Sequence, residues 1–216
     1  MNSAASTTLV LTSAYCPPID YFIACVQAET ILIESNESYN KQSYRNRAII
    51  TASDGKLSLI VPIVKEHNQK QLIGDVKVDY SRPWIEHQKR TLVAAYQNSP
   101  FFEFYCDDLF EIIDAKHENL FDLNMALLLW IFKVLGIKRK ISTTTDFFKK
   151  YDSTVQDLRY KISPKLPPVY PKEKPYYQVF TPKQGFVSNL SILDLIFNEG
   201  PESVKYLQEY ILESNS

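Results

Sequence analysis

At 216 residues with a net charge of −1, the chain carries no general attraction for nucleic acid or for an anionic membrane surface. Its three cysteines, Cys16, Cys25 and Cys106, are odd in number and lack metal-type spacing, which excludes a disulfide framework and a thiolate metal site. An apolar fraction of 45% with a 13% aromatic share provides for one buried core, so residues 1–216 are expected to form a single domain.

Met1 to Ser6 lack the basic and apolar regions of a signal peptide, and the most apolar run, Met125 to Phe132, is far below the roughly 20 residues that span a bilayer. A cytoplasmic protein with reduced thiols and no membrane insertion is expected.

Thr8 to Thr12 reads as a short strand that stops at Tyr15-Cys16-Pro17-Pro18. Pro18 suits the start of a helix, where the missing N–H costs nothing, and the helix runs through Ile19, Tyr21, Phe22, Ile23 and Val26. Thr30 to Ile33 is a continuous apolar strand. Strand, loop, helix and strand form a βαβ unit with a parallel pair. After a polar loop from Glu34 to Arg47, the runs 48–51 and 56–61 flank Ser53-Asp54-Gly55, a hairpin signal. Residues 65–73 read as a hydrophilic excursion, and Asp75 to Tyr80 alternates as a half-exposed strand.

The middle is helical: Pro83 to Asn98, then one or two helices over Phe101 to Ile113, then a nearly all-apolar helix from Asn119 to Gly136 that must be buried. Ile141 to Thr145 reads as a strand and residues 146–161 as short-range helix. Pro164, Pro167, Pro168, Pro171, Pro175 and Pro182 are half of the chain's 12 prolines, so residues 163–182 form an extended arm. A helical pair over 191–213 follows, with Ser191 and Asp194 in a capping arrangement. The fold class is α/β, with a mixed, mainly parallel sheet, a β-hairpin, packed helices and a Pro-rich C-terminal arm.

Chemistry-bearing residues are few. On the helix from Pro83, the residues Trp84, Ile85, Leu92, Ala95 and Tyr96 share an apolar face, while Glu86, Arg90 and Gln97 point away. His87 falls on the flank beside Thr91, placed either to bond a neighbouring loop or to act as a general acid or base at a pocket lip. His67 and His117 read as surface residues. Glu34 closes a buried parallel strand, where α/β folds present ligand groups, and is a second catalytic candidate. The loop after it carries Lys41, Asn46 and Arg47, which could clamp a phosphate or carboxylate or simply form a solvated hairpin base. Gln178 lies among aromatics and needs a polar partner, and Asn189 is a capping group or a ligand contact. Cys16 reads as structural, and no Gly-rich phosphate loop or metal spacing is present, so no cofactor and no metal are expected.

Three blocks resemble the WbqC-like proteins. They are Tyr15-Cys16-Pro17-Pro18-Ile19-Asp20-Tyr21-Phe22, then Trp84 to Leu92 with Tyr96 and Pro100-Phe101-Phe102, then Tyr177-Gln178-Val179-Phe180 with Gly185 to Leu195. The resemblance implies a bacterial protein associated with surface-polysaccharide and O-antigen clusters. It implies transfer of a small substituent, such as an aminoacyl or acyl group, to an activated or nucleotide-linked sugar. It adds Tyr15, Tyr21, Trp84 and Thr91 to the candidate substrate contacts, beside Gln178 and Asn189. Between Asp146 and Tyr177 the chain lacks a block that longer relatives carry. Two other readings stay open: a nucleotide-binding Rossmann-like protein without turnover, and a non-catalytic assembly protein.

Overall fold

Leu9, Val10 and Leu11 are wholly excluded from solvent, as a central parallel strand covered on both faces requires. The computed structural model describes residues 8–64, 70–171 and 174–214, with side chains as far as Tyr210. β1 (Thr8–Thr12), α1 (Ile19–Gln27) and β2 (Thr30–Glu34) form the expected βαβ unit, with Thr8 opposite Thr30 and Thr12 opposite Glu34 in parallel register. α1 follows Pro18 directly, and every residue from Ile19 to Val26 is buried.

The hairpin is β3 (Arg47–Ala52) with β4 (Gly55–Ile60), joined by Ser53-Asp54. Gly55 leaves the turn at φ +114°, a backbone open to glycine and hardly to any other residue. Three helices follow: α2 (Trp84–Tyr96), α3 (Phe102–Asp114) and α4 (Leu120–Val134). Phe102 to Asp114 is thus one continuous helix. β5 (Lys140–Thr143) and β6 (Val155–Asp157) complete a parallel sheet in the order β5-β2-β1-β6. A short α5 (Thr181–Gln184), then α6 (Ile192–Glu199) and α7 (Ser203–Ser214), close the chain, and α7 packs against α1.

Two expected elements differ. Asp75 to Tyr80 keeps its alternation, with Val76 and Val78 buried, but it forms single bridges (Ile63 to Val78, Lys77 to Asn119) in place of a ladder. Residues 146–161 are not helical: three of them form β6, which pairs with β1 through Val155, Gln156 and Asp157. So short a strand has no apolar run to announce it and is held by its neighbour. Of the excursion at 65–73, residues 65–69 with His67 lie outside the described residues, while Leu72 bridges Ser38 and Ile73 is fully buried. The sequence order β1, β2, β5 runs outward, and β6 returns to the other side of β1, so the switch point lies between β1 and β6.

Candidate functional site

α2 starts immediately after Pro83 and presents the faces its periodicity predicts. Trp84, Ile85, Leu92, Ala95 and Tyr96 are buried, whereas Glu86, Arg90 and Gln97 are exposed. Between these faces His87, Gln88 and Thr91 turn toward β4, and a groove of about 440 Å³ opens between helix and strand. The β4 side supplies Leu57, Ser58 and Ile60, with Pro62 beyond them; the α2 side supplies Arg82, Trp84 and His87. His87 is exposed, while Trp84 is 6% exposed and stacks on Tyr80 at 5.9 Å between ring centres. Thr91 donates from Oγ1 to the His87 carbonyl at 2.8 Å, which fixes that hydroxyl against its own helix.

Gln88 was not singled out by the sequence, yet it joins the groove to the sheet. Its Oε1 accepts from the Tyr15 hydroxyl at 2.7 Å, and its Nε2 donates to the Ile60 carbonyl at 2.8 Å. Tyr15 follows the C-terminal end of β1 and is 1% exposed. It supports the groove from behind and is not among its lining residues.

The ends of the parallel strands hold a second polar cluster. Glu34, wholly buried, accepts from Thr144 Oγ1 at 2.7 Å, from the Asn36 N–H at 2.9 Å and from Arg159 Nη1 at 2.6 Å. Arg159 also donates to both Asp157 oxygens and to the Phe148 carbonyl. The rings of Phe147, Tyr151 and Tyr160 surround its guanidinium at 5.0 to 5.8 Å. Beside it Arg45 forms a two-pronged pair with Glu37, whose Oε1 also takes the Thr12 hydroxyl at 2.6 Å. Arg159, Arg45 and Glu37 escaped the sequence reading, because each gains its meaning from a partner elsewhere in the chain.

None of the residues from Glu34 to Arg47 lines the groove beside His87. Lys41 is exposed, and Arg47 sits opposite the groove residue Ile60 in the hairpin register, its Nε buried without a partner. Asn46 donates to the Val61 carbonyl at 2.9 Å, and Tyr21 donates to the Thr12 carbonyl at 3.0 Å. Gln178 is absorbed by Val187, whose carbonyl and N–H it bonds at 2.9 Å each, and by Asp194 at 3.1 Å. Asp194 does not serve as a capping partner for Ser191. Its carboxylate accepts from Tyr96 at 2.9 Å, Tyr176 at 2.6 Å and Gln178, and burial outweighs these bonds and pushes it up to about 6.

The N-terminus of α1, where a dinucleotide fold would seat a phosphate, is closed by the chain. The Ile19 N–H donates to the Leu190 carbonyl at 3.0 Å and the Asp20 N–H to Asn189 Oδ1 at 3.1 Å. Asn189 thus caps α1, at a left-handed φ of +53° that asparagine tolerates. The Asp20 carboxylate accepts from the Val169 and Tyr170 N–H groups and fastens the proline arm; burial pushes it up to about 6 against these bonds. Burial also raises the Cys16 thiol, which keeps it protonated and inert.

The model of the WbqC-like protein family matches residues 12–166 and 165–206. The chain belongs to that family. An uncharacterized protein of Mycobacterium tuberculosis, Rv1507c, is 27% identical to this WbqC-like chain over 224 residues, covering 92% of it and 96% of the relative. No solved structure matches it. The three WbqC-like blocks meet one another in space: Tyr15 bonds Gln88, Asp20 bonds Asn189, and Tyr96 bonds Asp194. Much of the family signature here holds the WbqC-like fold together, and His87 is an exposed member that lines the groove. No described helix is long and apolar enough to cross a membrane.

Proposed function

We propose that this WbqC-like protein is a transferase of surface-polysaccharide metabolism that adds an acyl or aminoacyl group to an activated, nucleotide-linked sugar held in the α2–β4 groove. One observation carries the reading: His87 lines a groove with an aromatic wall at Trp84 and a cation at Arg82. The exposed edge of Trp84 and the side chains of Leu57 and Ile60 give the groove an apolar side, and a guanidinium suits a phosphate oxygen. His87 takes the proton from the sugar hydroxyl or amine as that atom attacks the acyl carbon. The bond from the acyl carbon to the donor's leaving group then breaks, and His87 returns the proton to the departing group. Arg82, which lines the groove where Lys41 and Arg47 do not, serves as the anion contact, and Glu34 serves the sheet end.

Saturation-transfer NMR with a panel of nucleotide sugars, and turnover with activated aminoacyl and acyl donors, tests the reading. Binding of at least one sugar nucleotide, with turnover lost in His87→Ala while binding persists, is the expected result. No binding by any member of the panel would sink the proposal.

A further inference from the structure

A strand edge without a neighbour is a row of open donors and acceptors, which proteins usually blunt. The Val61 N–H donates to the Asn46 carbonyl at 2.9 Å, so the facing pair Arg47 and Ile60 exchanges no hydrogen bonds between β3 and β4. Two residues on, Ser58 faces Ile49 in the same kind of pair. The N–H and C=O of Ser58 and Ile60 therefore point away from β3. The same register puts the Ile49 carbonyl on the opposite edge of the hairpin, where the Ser191 N–H donates to it at 2.7 Å. Next to the turn, Gln184 donates to the Thr51 hydroxyl and to the Ala52 carbonyl.

Among the described residues, the β4 edge is not closed. Gln88 takes the Ile60 carbonyl, but among the described residues no hydrogen bond reaches the Ser58 N–H, the Ser58 carbonyl or the Ile60 N–H. Leu57 and Ile60 are 39% and 45% exposed beside them. The open groups recur every second residue, about 6.8 Å apart along the strand, which is the repeat of an extended peptide. Among the described residues, the groove lining includes Arg82 and no carboxylate.

We propose that an extended, acidic segment of a partner protein adds to β4 as a third strand and lies in the α2–β4 groove. Its backbone pairs with Ser58 and Ile60, alternate side chains sit against Leu57 and Trp84, and a carboxylate meets Arg82. The proposal rests on the transferase reading in one respect only: a seated segment covers His87 and so controls access of the sugar.

The test uses the full chain, isotope-labelled, and a blocked eight-residue peptide in which valine alternates with glutamate. The expected result is saturable binding that shifts the Ser58 and Ile60 amide resonances and slows their exchange. Methylating alternate peptide nitrogens, or replacing glutamate by lysine, weakens binding at least tenfold, and Arg82→Glu reverses the charge preference. Ser58→Pro abolishes binding; its N–H faces outward, where an edge strand tolerates proline. Equal binding of the methylated peptide, or no peptide binding, overturns the proposal. So does self-association of the chain that Ser58→Pro removes, since the occupant is then a second copy. Sugar and donor are absent throughout, so a failed transferase reading leaves this result standing, and sugar binding without peptide binding fails this proposal alone.

Discussion

Arg159 Nη1 donates to Glu34 Oε2 at 2.6 Å, tying the end of β2 to the residues after β6 across 125 positions of the chain. Both side chains are fully buried. With Asp157 and Thr144 they close the sheet's switch point, where an open α/β fold would otherwise receive a ligand. Arg159→Met should cost about 3–5 kcal/mol, because it strands the Glu34 carboxylate in the interior. The double variant Glu34→Gln with Arg159→Met should recover part of that loss. Urea denaturation of the two single variants and the double variant measures the coupling.

His87 belongs to the opposite class. Its side chain is exposed on α2, so His87→Ala should alter stability by no more than about 0.5 kcal/mol. Transfer should fall by about 10²–10⁴ if the imidazole moves the proton. Thermal melts beside turnover numbers separate the two quantities, and a large loss of stability would assign His87 to the fold.

Asp20 and Asp194 make stability depend on pH in an uncommon direction. Both carboxyls are pushed up to about 6 by burial. The folded state therefore binds protons more readily than the unfolded chain between about pH 4 and 6. Their contribution is fully present below the unfolded value near 4 and is lost as pH rises through about 6, on the order of 2–3 kcal/mol each. Denaturation midpoints should fall between pH 4.5 and 7, and Asp194→Asn should remove about half of that slope. A midpoint rising over this window would refute the assignment.

Gly200 lies at φ +53°, and a Cβ there would stand 2.6 Å from the Phe101 ring. Phe101 cannot readily retreat, since its own N–H donates to the Phe197 carbonyl at 3.0 Å. Gly200→Ala should destabilise the protein by about 2–4 kcal/mol through backbone strain and overpacking. Chemical denaturation checks it, and Phe101→Ala in the same chain should relieve part of the cost.

The sequence makes some of this legible and hides the rest for physical reasons. The βαβ unit, the hairpin at Asp54-Gly55 and the buried α4 are local patterns, and each is found where its pattern lies. The shared face of Trp84, His87 and Thr91 follows from helical period alone, and all three line one groove. What the period cannot supply is the opposite wall, because β4 meets α2 only through the fold. Glu34 ends a buried strand as its sequence reads, but its neutralising partner Arg159 lies in residues 146–161, which read as short-range helix and instead form β6 and the turn after it. Gln178 reads as needing a partner and bonds Val187 and Asp194, while Asn189 reads as a capping group or a ligand contact and caps α1 at the Asp20 N–H.

The strap from Asn189 to Ser191 has a consequence for the order of folding. Ser191 donates to the Cys16 carbonyl at 2.7 Å, 175 residues away, and its N–H closes the Ile49 carbonyl. During synthesis, then, the first helix and the hairpin wait uncapped until most of the chain has been made. Contacts so distant in sequence are slow to form. Fragments that stop short of residue 189 should emerge as collapsed, aggregation-prone intermediates, and the last quarter of the chain should set the pace at which the first quarter becomes native.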